Sequence, residues 1–169
     1  MSISMYQAFI PSAVRSLENL IDILNKVAAH AEAKKIDPSV FVTARLAPDM
    51  FPLSRQVQIA SDTVKGGAAR LSGEEPPKYE DFETTFPELI ERLRKTINYL
   101  QTFKPAQIDG SEERSVVIKT RTSELKFNGQ SYLTGFVLPN LYFHVTTAYA
   151  IARHNGVELG KRDYLGKAG

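Results

Sequence analysis

Four stretches of this chain repeat their apolar residues every three or four positions, and that period leaves few folds open. The first runs from about Ser4 to Lys35, with Tyr6, Ile10, Val14, Leu17, Leu20, Ile21, Leu24, Val27 and Ala28 in step. Such spacing puts one side of an α-helix into a core. Pro11 lies inside the run and predicts a kink or a restart, because proline lacks an N–H and crowds the preceding turn. Ile36-Asp37-Pro38 ends the segment, and residues 38–48 read as a connector with one short helical turn. The second run carries Leu53, Val57, Ala60, Val64, Ala68 and Leu71. Asp49 is its predicted N-cap, Pro52 falls in the first turn, and Gly73 is the stop.

The polar, proline-bearing stretch EEPPKYEDFETT reads as a loop. Thr84 or Thr85 then caps a third helix to about Phe103, with Glu88 placed for a capping box and Phe86, Leu89, Ile90, Leu93, Ile97 and Leu100 as its apolar set. In SVVIKTRTSELKFNG the period changes. Val116 to Ile118 and Leu125 with Phe127 predict two short strands around a polar turn. A fourth helix follows from about Ser131 to His154, with Gly156 as its stop and an extended tail from about residue 157. The sum is an all-α four-helix bundle in one domain over residues 1–169, with a small β-hairpin inserted before the last helix. The long connectors between helices one and two, and three and four, favour crossovers.

Composition narrows the chemistry. There is no cysteine, so thiolate nucleophiles, zinc–cysteine sites and disulfides are all excluded. The same absence fits a reducing, cytoplasmic setting. The net charge of +2 is small and its basic residues are scattered, which predicts no nucleic-acid partner. No apolar run nears the roughly 20 residues that span a bilayer, and MSISMYQAFIPSAVRSLENL lacks the basic start of a signal peptide. No membrane partner is expected. There is no GxGxxG, P-loop, HExxH or GxSxG motif, and no Glu-x-x-His pair of a di-iron bundle.

Helical phase singles out the polar residues that face inward. At about 100° per residue, Leu133, Val137, Asn140, His144, Thr147 and Ile151 fall on one stripe, so an amide and an imidazole stand in an apolar face. On helix two, Gln56 sits about 75° from the stripe centre and is the inward boundary residue, while Gln58 and Asp62 are assigned to solvent. Asp49, seven residues before Gln56, lies two turns away on the same side. His30 is taken as a partly exposed histidine complementing the C-terminal dipole of helix one, and His154 as exposed. His144 is read as a core histidine hydrogen-bonded to a neighbour such as Gln56 or Tyr6, as a group lining a ligand site, or as a metal ligand. Amide oxygens are weak ligands for zinc or nickel.

These residues also carry a resemblance. MYQAFIPSAVRSLENLIDIL, RLAPDMFPLSRQVQIASD and LPNLYFHVTTAYAIARHNGVELGKRDYLG make the chain similar to the DinB-like (DinB/YfiT) superfamily of bacterial four-helix bundles. Within it, the chain most resembles an uncharacterised bacterial domain-of-unknown-function family of this length. The resemblance implies an up-down-down-up bundle, often dimeric. It also implies, for many members, a divalent metal held by three histidines, and for some a thiol-dependent transferase or isomerase activity. The three histidine positions fall on Gln56, Asn140 and His144, and His144 alone is a histidine.

Three functional expectations follow. In the first, His144, Asn140, Gln56 and Asp49 line a polar pocket for a small molecule, with no cofactor. In the second, the chain is a structural module that pairs with itself as a homodimer and has no active site. In the third it is a divalent-metal enzyme whose zinc or nickel rests on His144, with further ligands from elsewhere, for example Asp49 or His30.

Overall fold

The computed structural model describes residues 2–119 and 123–166. Helix α1, Met5–Lys34, opens with a capping box in which Ser4 Oγ accepts from Gln7 N at 3.3 Å and Gln7 Oε1 accepts from Ser4 N at 3.2 Å. It runs through Pro11 without the expected break. Pro11 and Gln7 are both exposed, so the carbonyl that loses its donor faces water. After the short α2, Pro38–Val42, the chain turns and enters α3, Leu53–Ser72.

The start of α3 corrects one expectation. Asp49 is not its cap: the helix begins behind Pro52, and no side chain caps it. Asp49 is exposed in the preceding turn, where Met50 N donates to the Ala47 carbonyl. The proline holds Phe51 out of the helical region and pushes the start past it. Gly73 ends α3 in the left-handed conformation, as expected. Helix α4, Phe86–Thr102, is capped by Thr85, with Glu88 closing the box. A short α5, Pro105–Ile108, follows.

Strands β1, Ser115–Lys119, and β2, Glu124–Asn128, pair antiparallel with Val117 opposite Lys126. The tip of the expected turn, residues 120–122, lies outside the described residues. The last long helical run starts at Gly129, earlier than expected, because Asn128 Oδ1 caps it through Ser131 N. It comprises α6, Gly129–Tyr132, a π-helical turn over Leu133–Val137, and α7, Leu138–His154. The tail is not simply extended. Lys161–Leu165 forms α8, which docks on α1 through the Lys26–Asp163 ion pair at 2.7 Å and Asn19 Nδ2 donating to the Tyr164 carbonyl.

The bundle directions can be read from single contacts. Gln56 meets His144 and Arg70 meets Tyr132, so α3 and the last helix run antiparallel. Tyr6 N donates to Asp109 Oδ1 at 2.8 Å, which sets the start of α1 beside the end of α4 and α5. Ser61 pairs with Thr96, and Gln58 with Glu83 just before α4, so α3 and α4 run parallel. The result is the expected up-down-down-up bundle. Its core is apolar, built on Phe9, Leu17, Leu24, Leu53, Leu93 and Leu141 among others. Among the described residues no helix is long and apolar enough to cross a membrane.

Candidate functional site

The π turn decides which residues of the last helix face inward. Leu138 N–H reaches back to the Leu133 carbonyl, one residue farther than in an α-helix, and Pro139 next to it has no N–H to give. The wider turn retards the helical phase. Beyond it the buried stripe runs through Leu141, His144, Val145, Ala148 and Ile151. Asn140 therefore falls at the edge, half-buried, with its Nδ2 donating to the Phe136 carbonyl of its own helix at 2.7 Å.

His144 is 8% exposed and Gln56 is 2% exposed. Gln56 Nε2 donates to the Phe51 carbonyl at 3.0 Å, which turns its Oε1 toward His144 Nδ1, 2.7 Å away. An amide oxygen can only accept, so Nδ1 carries the proton. Nε2 is then a lone-pair acceptor with no hydrogen-bond partner among the described residues. Among the described residues the fully buried side-chain polar atom without a partner is Ser111 Oγ, so His144 Nε2 reaches solvent. Burial, and after it the positive charge of Arg55, hold the imidazole pKa below the ordinary histidine value. The ring is therefore neutral near pH 7. The Phe143 ring packs edge-on to it at 5.2 Å, and the side chains of Phe143 and of Phe51, whose carbonyl holds Gln56, are exposed.

The structure thus brings Gln56 and His144 into direct contact, leaves Asn140 on the rim, and gives Asp49 no hydrogen bond or ion pair with any of them. His30 is half-buried and stands edge-on to Phe41 at 5.7 Å. His154 is exposed. The set does not fit a metal. Gln56 Oε1 is committed to the His144 proton, and no group of three His, Cys, Asp or Glu able to hold an ion exists among the described residues.

A second polar cluster lies where phase placed solvent. Gln58 is buried and donates to Glu83 Oε2 at 3.0 Å. Asp62, half-exposed, pairs with Lys65 at 2.7 Å and with Arg92 at 2.9 Å. The loop of residues 74–85 covers this face of α3, which is why the single-helix reading failed there. Its anchor is buried Arg92, which holds Glu83 through both carboxylate oxygens at 2.9 and 3.1 Å, Asp81 at 3.0 Å and the Glu80 carbonyl. Asp81 also pairs with Arg55. Burial alone would lower the Arg92 pKa, but Glu83, Asp62 and Asp81 more than offset it and hold it above the ordinary arginine value. Lys65 and Lys95 sit on the Tyr79 ring at 3.8 and 4.1 Å. One signal for this cluster stood in the sequence: Arg92 falls three residues after Leu89 and four before Thr96, on the apolar face of α4.

The family model described as Domain of unknown function (DUF1993) matches residues 5–165. The crystal structure of a DinB family member protein from Shewanella denitrificans is similar at 43% identity, over 96% of this chain and 92% of that one, with a TM-score of 0.87. No curated protein matches the chain significantly.

Proposed function

We propose that this chain, which belongs to the DinB-like family described as Domain of unknown function (DUF1993), binds a small molecule at His144. The observation that carries this reading is the unequal state of the two imidazole nitrogens. Nδ1 is pinned by Gln56, and Gln56 in turn by the Phe51 carbonyl, so the ring cannot rotate away to satisfy Nε2. A neutral, oriented acceptor beside exposed aromatic side chains suits a ligand with one O–H or N–H donor and an apolar body. Asn140 Oδ1, at the rim, supplies a further acceptor. The same Nε2 is placed to take a proton from a bound hydroxyl or amine, which is the catalytic option the site keeps open. The lack of cysteine supports placing the protein in the cytoplasm.

The test is thermal shift with small phenols and anilines against their O-methyl and N,N-dimethyl counterparts. Donors should raise the melting temperature of the wild-type chain and not of a folded His144→Phe variant. Equal shifts from donors and methylated controls, or equal shifts in both proteins, would count against the site.

The exposure of Phe51 and Phe143, each 56%, favours one alternative: burial of this aromatic rim between two copies of the chain. Sedimentation velocity on wild-type and Phe143→Asp protein separates the two readings. A dimer abolished by the substitution supports the interface, whereas a monomer in both samples removes it.

A further inference from the structure

A two-stranded sheet leaves each strand with an outer edge. Among the described residues, no backbone bond outside the hairpin ladder engages residues 115–119. A hollow of about 600 Å³ lies along that strand, with β1 forming one wall and the C-terminal end of α3 the other. Gly73, at φ 86°, lets the Arg114 guanidinium lie directly over the helix end, where any Cβ would strike it. Arg114 has no carboxylate partner among the described residues. Arg70, on the same hollow, donates to Tyr132 Oη at 3.3 Å and has no ion pair among the described residues.

We propose that this hollow is a peptide-binding site, in which an extended segment bearing carboxylates pairs with β1 as a third strand. The strand edge supplies main-chain hydrogen bonds, and the cations supply the preference for acidic residues. Arg114 and Lys119 flank β1 at its two ends. An antiparallel pairing of β1 with a second copy of itself, centred between Val116 and Val117, would set Arg114 opposite the other copy's Lys119, so like charges oppose self-association in that register. Glu74 and Glu75 line the facing wall and repel a polyanion. That disfavours nucleic acid and favours a segment whose carboxylates sit at its ends. The site is separate from the His144 niche and does not depend on it.

The probe is a fluorescein-labelled hexapeptide, Asp-Val-Thr-Val-Thr-Asp, titrated with the full chain and followed by anisotropy. Its counterpart with lysine at both ends is the control. The acidic peptide should bind at least tenfold more tightly, and hydrogen exchange across residues 115–119 should slow on binding. Arg114→Glu should weaken binding tenfold or more, while Arg114→Lys keeps most of it. Equal affinity for both peptides, no binding of either, or binding without protection of β1 would overturn the proposal. So would protection of β1 through self-association without peptide.

Discussion

The central residue pair is Gln56 and His144, and its consequences are electrostatic. Replacing Gln56 by Leu leaves the His144 Nδ1 proton without an acceptor in a buried place. Chemical denaturation should show a loss of about 1–3 kcal/mol, the usual cost of an unsatisfied buried donor. The imidazole also imposes a pH dependence. Its folded pKa lies below the unfolded value near 6.5, so the unfolded chain binds the proton more readily. This contribution is therefore fully present above pH 6.5 and is lost as pH falls from there toward the folded pKa. Urea melts from pH 7.5 to 5 should show that decline, and His144→Phe should flatten it. Both partners were legible from phase alone, because each lies on a regular stretch of its helix. Asn140 was not placed correctly, since the π turn before it is a tertiary choice that leaves no mark in a three-and-four period.

The elements meet closely where glycine permits. At Gly67 on α3, a Cβ would stand 2.9 Å from Phe9 Cζ and 2.9 Å from Val137 Cγ1. Three elements converge there: α1, α3 and the π turn. Gly67→Ala should therefore destabilise the fold by about 1–3 kcal/mol through overpacking, despite the better helix propensity of alanine. Hydrogen exchange should report the change first in the π turn. The helix spans were readable from periodicity, and the caps at Thr85 and Gly73 from residue type. The start of α3 was misread because two helix-start signals competed, Asp49 and Pro52, and the backbone restriction at the proline won. The helix in the tail escaped notice because five residues carry no periodic signature; α8 is held by contacts to α1.

For the molecule as a whole, the loop of residues 74–85 is fastened to the bundle by charge. Its large apolar side chain, Phe82, is 69% exposed, whereas Glu83 and Asp81 both reach buried Arg92. Glu83→Gln removes one carboxylate from that network while Asp62 and Asp81 remain. The expected loss is about 1.5–3 kcal/mol, the range for a charged hydrogen bond. Limited proteolysis should then cut first within the loop. The bundle was legible in the sequence from its four amphipathic stripes, but its winding only through the family resemblance. The long connectors pointed to crossovers between helices one and two and three and four, whereas the crossover joins the parallel α3 and α4 through residues 73–85. The fastening was not legible, since a polar loop reads as solvent until its buried partner is known.

The claim on which the functional reading rests is that His144 offers a neutral Nε2 to solvent. Long-range nitrogen-15 NMR of the imidazole at pH 7.5 tests it directly. The account predicts a protonated, pyrrole-type Nδ1 and an unprotonated, pyridine-type Nε2 whose shift moves on adding a phenol that raises the melting temperature. A proton found on Nε2, or an Nε2 shift indifferent to every such phenol, would contradict it.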